Sequence, residues 1–499
     1  MVELISLMLV ALTGVEGFCP LACDCEGGDQ LQVECRQAAL EVIKLCRYYI
    51  SFTLYFQIVP MTLNPEIQVL VLQFNKIEEI GSASFQFHPE LITVDLSHNQ
   101  LQHIQDKTFE AQKLLLNLNL SENKLRVLRS EMFLGLDSLS YLDISHNHIS
   151  HLPSEIFQSL GKLNNLNLGS NRISTVAGQA FHGLTNLRLL DLRNNLLTNL
   201  CENMLATVPH LMSLDLSQNR LTNISKEALK NIPNLTSLNL SSTNLSSVSN
   251  LSSLIRLEEL FLSNTNLPSL YSGVFSRMTR LHLISVQHCK NLRYIHSGAF
   301  SDNRDLSVVA ISHNENLAYV DENTFNNLPN LKDLDISHNK ISNLNLNLNP
   351  SATLKSLQLE GNPWVCNCSL YPLVKQILSL GDQVVETRPE CAEPFRIKGT
   401  HFDIYQFSDC EKFDLESFPI HFLQVLCGGF AAILLLSLIL GFFRDRIRTH
   451  IKNLIWRKKE SSNKNKVYEY QSSFIQYDEY FLCLAQHQYQ MENIPVTEL

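Results

Sequence analysis

LSYLDISHNHI at residues 139–149 is followed 24 residues on by LNNLNLGSNRI at 163–173, and both follow one pattern, L-x-x-L-x-L-x-x-N-x-L. Working outward, the same pattern starts at Ile67, Leu91, Leu115, Leu139, Leu163, Leu187, Leu211 and Leu235, then at Leu257, Leu281, Leu306, Leu331 and Leu354. A unit of this size cannot bury its apolar face alone, so a fixed repeat means stacking against neighbours. A solenoid is expected. Within each unit the L-x-L core alternates across a short strand. Leu142 and Ile144 should therefore point inward, with Tyr141, Asp143 and Ser145 pointing out to line a concave face.

The ninth position holds Asn75, Asn99, Asn123, Asn147, Asn171, Asn195 and Asn219, then Asn314, Asn339 and Asn362. An amide offers two donors and an acceptor, enough to satisfy buried backbone groups of adjacent turns. About ten residues further on runs an aromatic column of Phe85, Phe109, Phe133, Phe157, Phe181, Phe275, Phe300 and Phe325, with Leu205 and Leu229 in its middle. One ring per turn reads as a spine of the core.

These positions resemble the leucine-rich repeat family, typical extracellular subclass, over residues 43 to 365. The fold expected is an α/β leucine-rich repeat solenoid, a curved parallel-sheet horseshoe whose raw ends need caps. Both ends carry cysteines, with Cys19, Cys23, Cys25 and Cys35 before the repeats and Cys366, Cys368, Cys391 and Cys410 after them. Spacing alone leaves the connectivity open, and two C-x-C clusters also admit a zinc reading. The resemblance implies disulfide pairs Cys19 with Cys25, Cys23 with Cys35, Cys366 with Cys391, and Cys368 with Cys410.

The ends of the chain set the expected topology. Residues 1–17 read as a signal peptide, with an apolar run from Ile5 to Leu12 and small residues at Gly14 and Gly17. Phe422 to Phe443 is an uncharged apolar run, long enough for a helix to cross ~30 Å of hydrocarbon. Basic residues from Arg444 to Lys459 follow it, while Glu411, Asp414 and Glu416 precede it, so the repeats should face out. Seven N-x-S/T glycosylation sequons, at Asn119, Asn223, Asn234, Asn239, Asn244, Asn250 and Asn367, agree with that side. Asn119 and Asn239 fall between the inward leucines of their strands, where glycans would obstruct the concave face. The expected divisions are 1–17 signal peptide, 18–66 N-terminal cap with a first irregular repeat, 67–361 repeats and 362–412 C-terminal cap. Beyond these come 413–421 juxtamembrane, 422–443 transmembrane helix, 444–466 basic linker and 467–499 tail.

Before residue 444 the chain holds 30 basic and 42 acidic residues, a balance that does not attract polyphosphate at neutral pH. The same part holds 15 histidines, whose full protonation would bring the balance to about +3. Five of them, His98, His146, His288, His313 and His338, share the eighth repeat position and form either a concave column or plain repeat filler. Thr243, Thr265 and Cys289 replace three successive ladder asparagines, and the unit from Leu235 to Leu257 has 22 residues. That stretch reads as drift or as a contact surface. Cys46, Cys201 and Cys289 have no evident partners and read as buried, inert thiols.

The sequence contains no Gly-rich phosphate loop, no H-E-x-x-H and no G-x-S-x-G, so neither an enzyme nor a cofactor is expected. The tail carries the last informative motif. Tyr477, Asp478 and Phe481, followed by Met491, Glu492, Asn493, Ile494, Val496, Glu498 and Leu499, resemble the opening strand and helix of a TIR domain, the cytosolic module of Toll-like receptors. Glu479, Leu482, Cys483 and Gln490 depart from that pattern. Some thirty residues cannot bury a core of their own, so the tail is expected to be a truncated TIR and mostly disordered. The resemblance implies a single-pass type I receptor of the plasma membrane or endosome. It would act in innate immunity by binding a microbial or damage-associated ligand and forming a homo- or heterodimer with a Toll-like receptor. The alternative is a leucine-rich adhesion or synapse-organising protein whose terminus, Val496 to Leu499, adds as a strand to the groove of a PDZ protein.

Overall fold

The computed structural model describes residue 59, residues 65–346 and, with short gaps, 354–410, together with the backbone of 23–26, 32–35 and 49–52. The solenoid lies in the first of two compact units, Met1–Gln406; of the second, Phe407–Leu499, only Phe407 and Cys410 are described. The signal peptide, the apolar run 422–443, the basic linker and the TIR-like residues Tyr477, Asp478, Phe481, Glu492, Asn493 and Leu499 lie outside the described residues. So do Cys19, Cys46 and the side chains of Cys23, Cys25 and Cys35. Among the described residues no helix is long and apolar enough to cross a membrane.

One sheet of sixteen strands runs through the solenoid. Its first two strands, Cys23–Glu26 and Gln32–Cys35, are antiparallel, with Cys23 opposite Cys35 in the register. From Tyr49–Phe52 onward the strands are parallel, and thirteen three-residue strands from Val69–Val71 to Ser356–Gln358 correspond one to one with the pattern starts. The register has no stagger, so Leu118, Leu142, Leu166, Leu190 and Leu214 stand side by side. All five are at most 2% exposed.

The ladder asparagines do what their chemistry suggests. Asn147 Nδ2 donates to Leu120 O (3.0 Å) in the previous turn and to Ile144 O (3.1 Å) in its own, while its Oδ1 accepts from Leu125 N (2.9 Å). Asn99, Asn123, Asn171, Asn195 and Asn219 repeat the arrangement. Each amide closes backbone groups that the turn would otherwise bury unpaired. Behind the sheet the phenylalanines form the expected spine, with ring centroids 5.3 Å apart for Phe85 and Phe109, 6.4 Å for Phe157 and Phe181, and 5.6 Å for Phe275 and Phe300. Leu205 and Leu229 continue it, both at most 1% exposed.

The return legs depart from the α/β expectation. The helices described are only α1 (Lys226–Lys230) and α2 (Tyr371–Leu380); the legs otherwise consist of turns, short 3-10 segments and two-residue strands. The reason is where the backbone bonds go. Within the return from Ile149 to Leu160, His151–Leu152 pairs in parallel with Thr175–Val176 of the next turn, so that part of the leg bonds to its neighbour and not along a helix. Tight turns require left-handed backbone, as at Gly135 (φ +95°), where an added Cβ would stand 2.3 Å from Phe109 O.

The C-terminal end is sealed by polar and apolar contacts together. Val384 O accepts from Leu357 N (2.9 Å), covering the last strand's open edge. Trp364 is fully buried, meets Phe402 edge-on at 6.0 Å and donates its indole N–H to Leu359 O (3.0 Å). Helix α2 adds Leu373, Val374 and Ile377 to this core. A disulfide joins Cys366 to Cys391, which removes both sulfurs from any zinc reading. Cys368 and Cys410 are disulfide-bonded as well.

Candidate ligand-binding face

Outward positions of the parallel strands form columns, one residue per turn. The column between the inward side chains reads Asp95, Asn119, Asp143, Asn167, Asp191, Asp215 and Asn239. These side chains bind the sheet itself. The Oδ1 of Asp95, Asp143, Asp191 and Asp215 accepts the backbone N–H two residues on, at 2.8 to 2.9 Å. Asn167 Nδ2 bridges to Asp143 Oδ2 (2.9 Å), and Asn239 Nδ2 to Asp215 Oδ2 (3.2 Å). Asp143 thus holds the outer position expected of it, but neither it nor Ser145 is open to solvent. They are 8% and 5% exposed, because the carboxylate folds down onto the Ser145 amide.

This half of the face is electronegative. Burial, then the Asp143 charge, pushes the Tyr141 hydroxyl up to about 12. Burial also raises the Asp191 carboxyl, opposed by the Arg193 amide and guanidinium and reinforced by Asp215 and Asp143.

At the turn starting with Leu257 the column changes character. Phe261, Ser285 and Ala310 continue the register from Asn239, and Leu283 and Val308 stand in the adjacent column. Phe261, Leu283, Val308 and Ala310 are all half-buried on the outer side of the sheet. No sequon occurs between Asn250 and Asn367. The result is a neutral, apolar segment beside an acidic one. Reading a single outward position down the repeats would have revealed it; reading each repeat separately hid it.

The five histidines of the eighth position share a left-handed backbone, φ +52° to +59°, with every other residue at that position from Phe74 to Asn264. That conformation favours Asn, Asp and His among non-glycine residues, so repeat geometry accounts for the residue type. They do not form one column. His288, His313 and His338 stack at 4.8 and 4.5 Å, whereas His98 stacks on Phe74 and His146 lies 3.4 Å from Glu122.

The irregular turns sit at the same place as the change in the face. Thr243 Oγ1 donates to Leu240 O (2.7 Å), within its own turn. Thr265 Oγ1 donates to Leu262 O (2.8 Å) and lies 3.3 Å from Cys289 Sγ. Cys289 is a fully buried free thiol whose pKa is raised by that burial. Cys201, expected to be a free thiol, is disulfide-bonded. Among the sequons, Asn223, Asn244 and Asn367 are exposed, whereas the amides of Asn234 and Asn250 donate to Pro209 O and Ile224 O. Asn119 and Asn239 sit half-buried on the sheet face, Asn119 accepting from the Ser121 amide and hydroxyl.

The leucine-rich repeat pattern matches residues 65–110, 89–149, 138–197, 185–245, 209–267 and 279–341, more than half of the chain. The chain belongs to the leucine-rich repeat family. No curated protein sequence matches this leucine-rich repeat chain. Among solved structures it is similar to Drosophila Toll in its complex with Spatzle, with TM-score 0.59 and 21% identity over 71% of this chain and 54% of that one. It is also similar to TLR13 in complex with a single-stranded RNA, with TM-score 0.51 and 20% identity over 69% of this chain and 55% of that one. The leucine-rich repeat domain of APL1B gives TM-score 0.50 and 26% identity over 64% of this chain and 88% of that one. The chain thus spans about half the length of the Toll and TLR13 chains it matches. At these identities the likeness establishes the fold.

Proposed function

We propose that this leucine-rich repeat chain is the ligand-binding part of a single-pass receptor resembling a Toll-like receptor, with residues 18–412 outside the cell and 422–443 in the membrane. The observation that carries the reading is the sheet face. Its neutral segment of Phe261, Leu283, Val308 and Ala310 spans three turns between Glu259 and the pair Asp333 and Asp335, and it is free of sequons. Toll is in complex with Spatzle and TLR13 with a single-stranded RNA in the structures named above. The acidic column beside the neutral segment opposes polyphosphate, so a protein or peptide of microbial or damage origin suits this face better. Dimerisation on ligand binding, with a second copy or a Toll-like receptor, is the corresponding output.

The test is a chimera in which residues 1–443 are fused to a dimerisation-dependent reporter. Surface expression with a glycosidase-sensitive mobility shift, and reporter activation by microbial or damaged-tissue preparations, is the expected result. Activation should be lost when Ser285→Asn with Gln287→Ser installs a glycan on the neutral segment. A chimera lacking that glycan shift would overturn the topology. A surface-expressed chimera that is silent to every preparation but clusters cells would replace the receptor with an adhesion protein.

A further inference from the structure

On the flank that follows the asparagine ladder, the strands Ser269–Leu270, Tyr294–Ile295 and Tyr319–Val320 form a three-stranded parallel ribbon. Its edge carries a row of rings contributed by three successive turns. Tyr271 faces His296 at 5.5 Å, His296 faces Tyr294 at 4.3 Å, and Tyr294 faces Tyr319 at 6.2 Å. Tyr271 is 54% exposed and Tyr319 66%, so the row is covered by nothing in the described chain. At its end Asp321 accepts hydrogen bonds from the Tyr294 hydroxyl and the Ser297 amide. These bonds, led by that of Tyr294, hold the carboxyl below its usual range.

The exposed end rings of the row, Tyr271 and Tyr319, with the Asp321 carboxylate that Tyr294 holds between them, are a surface of negative potential. The ring quadrupole presents negative charge at its face, and an aromatic face attracts ammonium and guanidinium groups within about 6 Å of the centroid. We propose that Tyr271, Tyr294 and Tyr319, together with Asp321, bind a cationic side chain, an arginine or lysine displayed by a protein partner. A sugar fits less well. Tyr294 and Ser297 take one acceptor site on each Asp321 oxygen, and the formal charge with the sites that remain favours a guanidinium or ammonium over a neutral hydroxyl, because charge-assisted bonds are the stronger. The absence of a sequon between Asn250 and Asn367 leaves the row unobstructed by the chain's own glycans. The site lies outside the sheet face and does not depend on which ligand that face takes.

The experiment is titration of full-length chain in detergent with a fluorescent hexa-arginine peptide and with its neutral isostere, hexa-citrulline. Tyr271→Leu and Tyr319→Leu leave the net charge unchanged, so they separate ring recognition from general attraction to an acidic protein. Each should weaken hexa-arginine binding about three-fold and the double variant about ten-fold, as expected for exposed cation–π contacts. Tyr319→Phe should stay within about two-fold of the parent and Asp321→Asn should weaken binding, with melting temperatures unchanged. Hexa-arginine binding equal to the parent's in the double leucine variant would overturn the site. So would equal affinity for hexa-citrulline, which would make the row a neutral stacking platform.

Discussion

The turns beginning at Leu139 and Leu163 and those beginning at Leu235 and Leu257 bury the same pattern of leucines, yet they are tied together differently. In the first pair, Asn147 and Asn171 each join two turns through amide bonds in both directions. In the second pair, the Thr243 hydroxyl reaches only Leu240, and the link between turns around Thr265 passes through a thiol. Apolar stacking continues through both. Leu238, Leu240, Leu260 and Leu262 are as completely buried as Leu142 and Leu166. The lesson is that the solenoid's core and its polar ladder are separable, and the ladder is weakest where the outer face turns neutral.

The largest test of that contrast is Asn147→Ala. It leaves Leu125 N–H buried without its partner, whereas Leu120 O keeps the Asn123 amide and Ile144 O that of Asn171, so one orphaned group and two lost bonds put the expected cost at about 2 to 3 kcal/mol in urea unfolding. Thr243→Ala removes a single neutral bond and should cost about 1 kcal/mol. Equal losses would erase the difference between the two regions. Thr243→Asn should sharpen it from the other side. The two side chains are of similar volume, and an amide can supply the missing cross-turn bonds, so the unfolding free energy should rise by up to about 1 kcal/mol.

The smallest expected effect concerns the electronegative half. Because burial raises the Asp191 carboxyl, its stabilising protonated form is fully present below the unfolded aspartate pKa of about 3.9 and is lost as pH rises through the folded value. Asp191→Asn keeps a neutral side chain at all pH. The variant should therefore melt slightly above the parent at pH 7 and level with it near pH 3. A lower melting temperature at pH 7 would mean that the pairing with Arg193, 3.2 Å away, outweighs the burial of charge.

Much of this was legible in the repeat. Ladder asparagines and spine phenylalanines recur at one period, and a residue type repeated in step declares its environment. The face was legible only in part. That the outward Asp143 folds down onto the Ser145 amide depends on a backbone conformation two residues wide, which alternation along a strand does not encode. The histidines looked like a column because they share a position, but only three of them occupy consecutive turns and touch. Cys201 carried no sign of its bond, since pairing of distant cysteines is set by proximity in space.

The repeat pattern is enough to specify the solenoid, the number of turns and the identity of the core, because each buried position is local to its repeat and recurs thirteen times over. The tertiary structure alone decided which outward residues become neighbours and which are consumed by the sheet. Tyr271, His296, Tyr294, Tyr319 and Asp321 are drawn from three repeats and mean nothing within any one of them. They form a row only because unstaggered stacking sets residues some 25 positions apart within a few ångströms of each other.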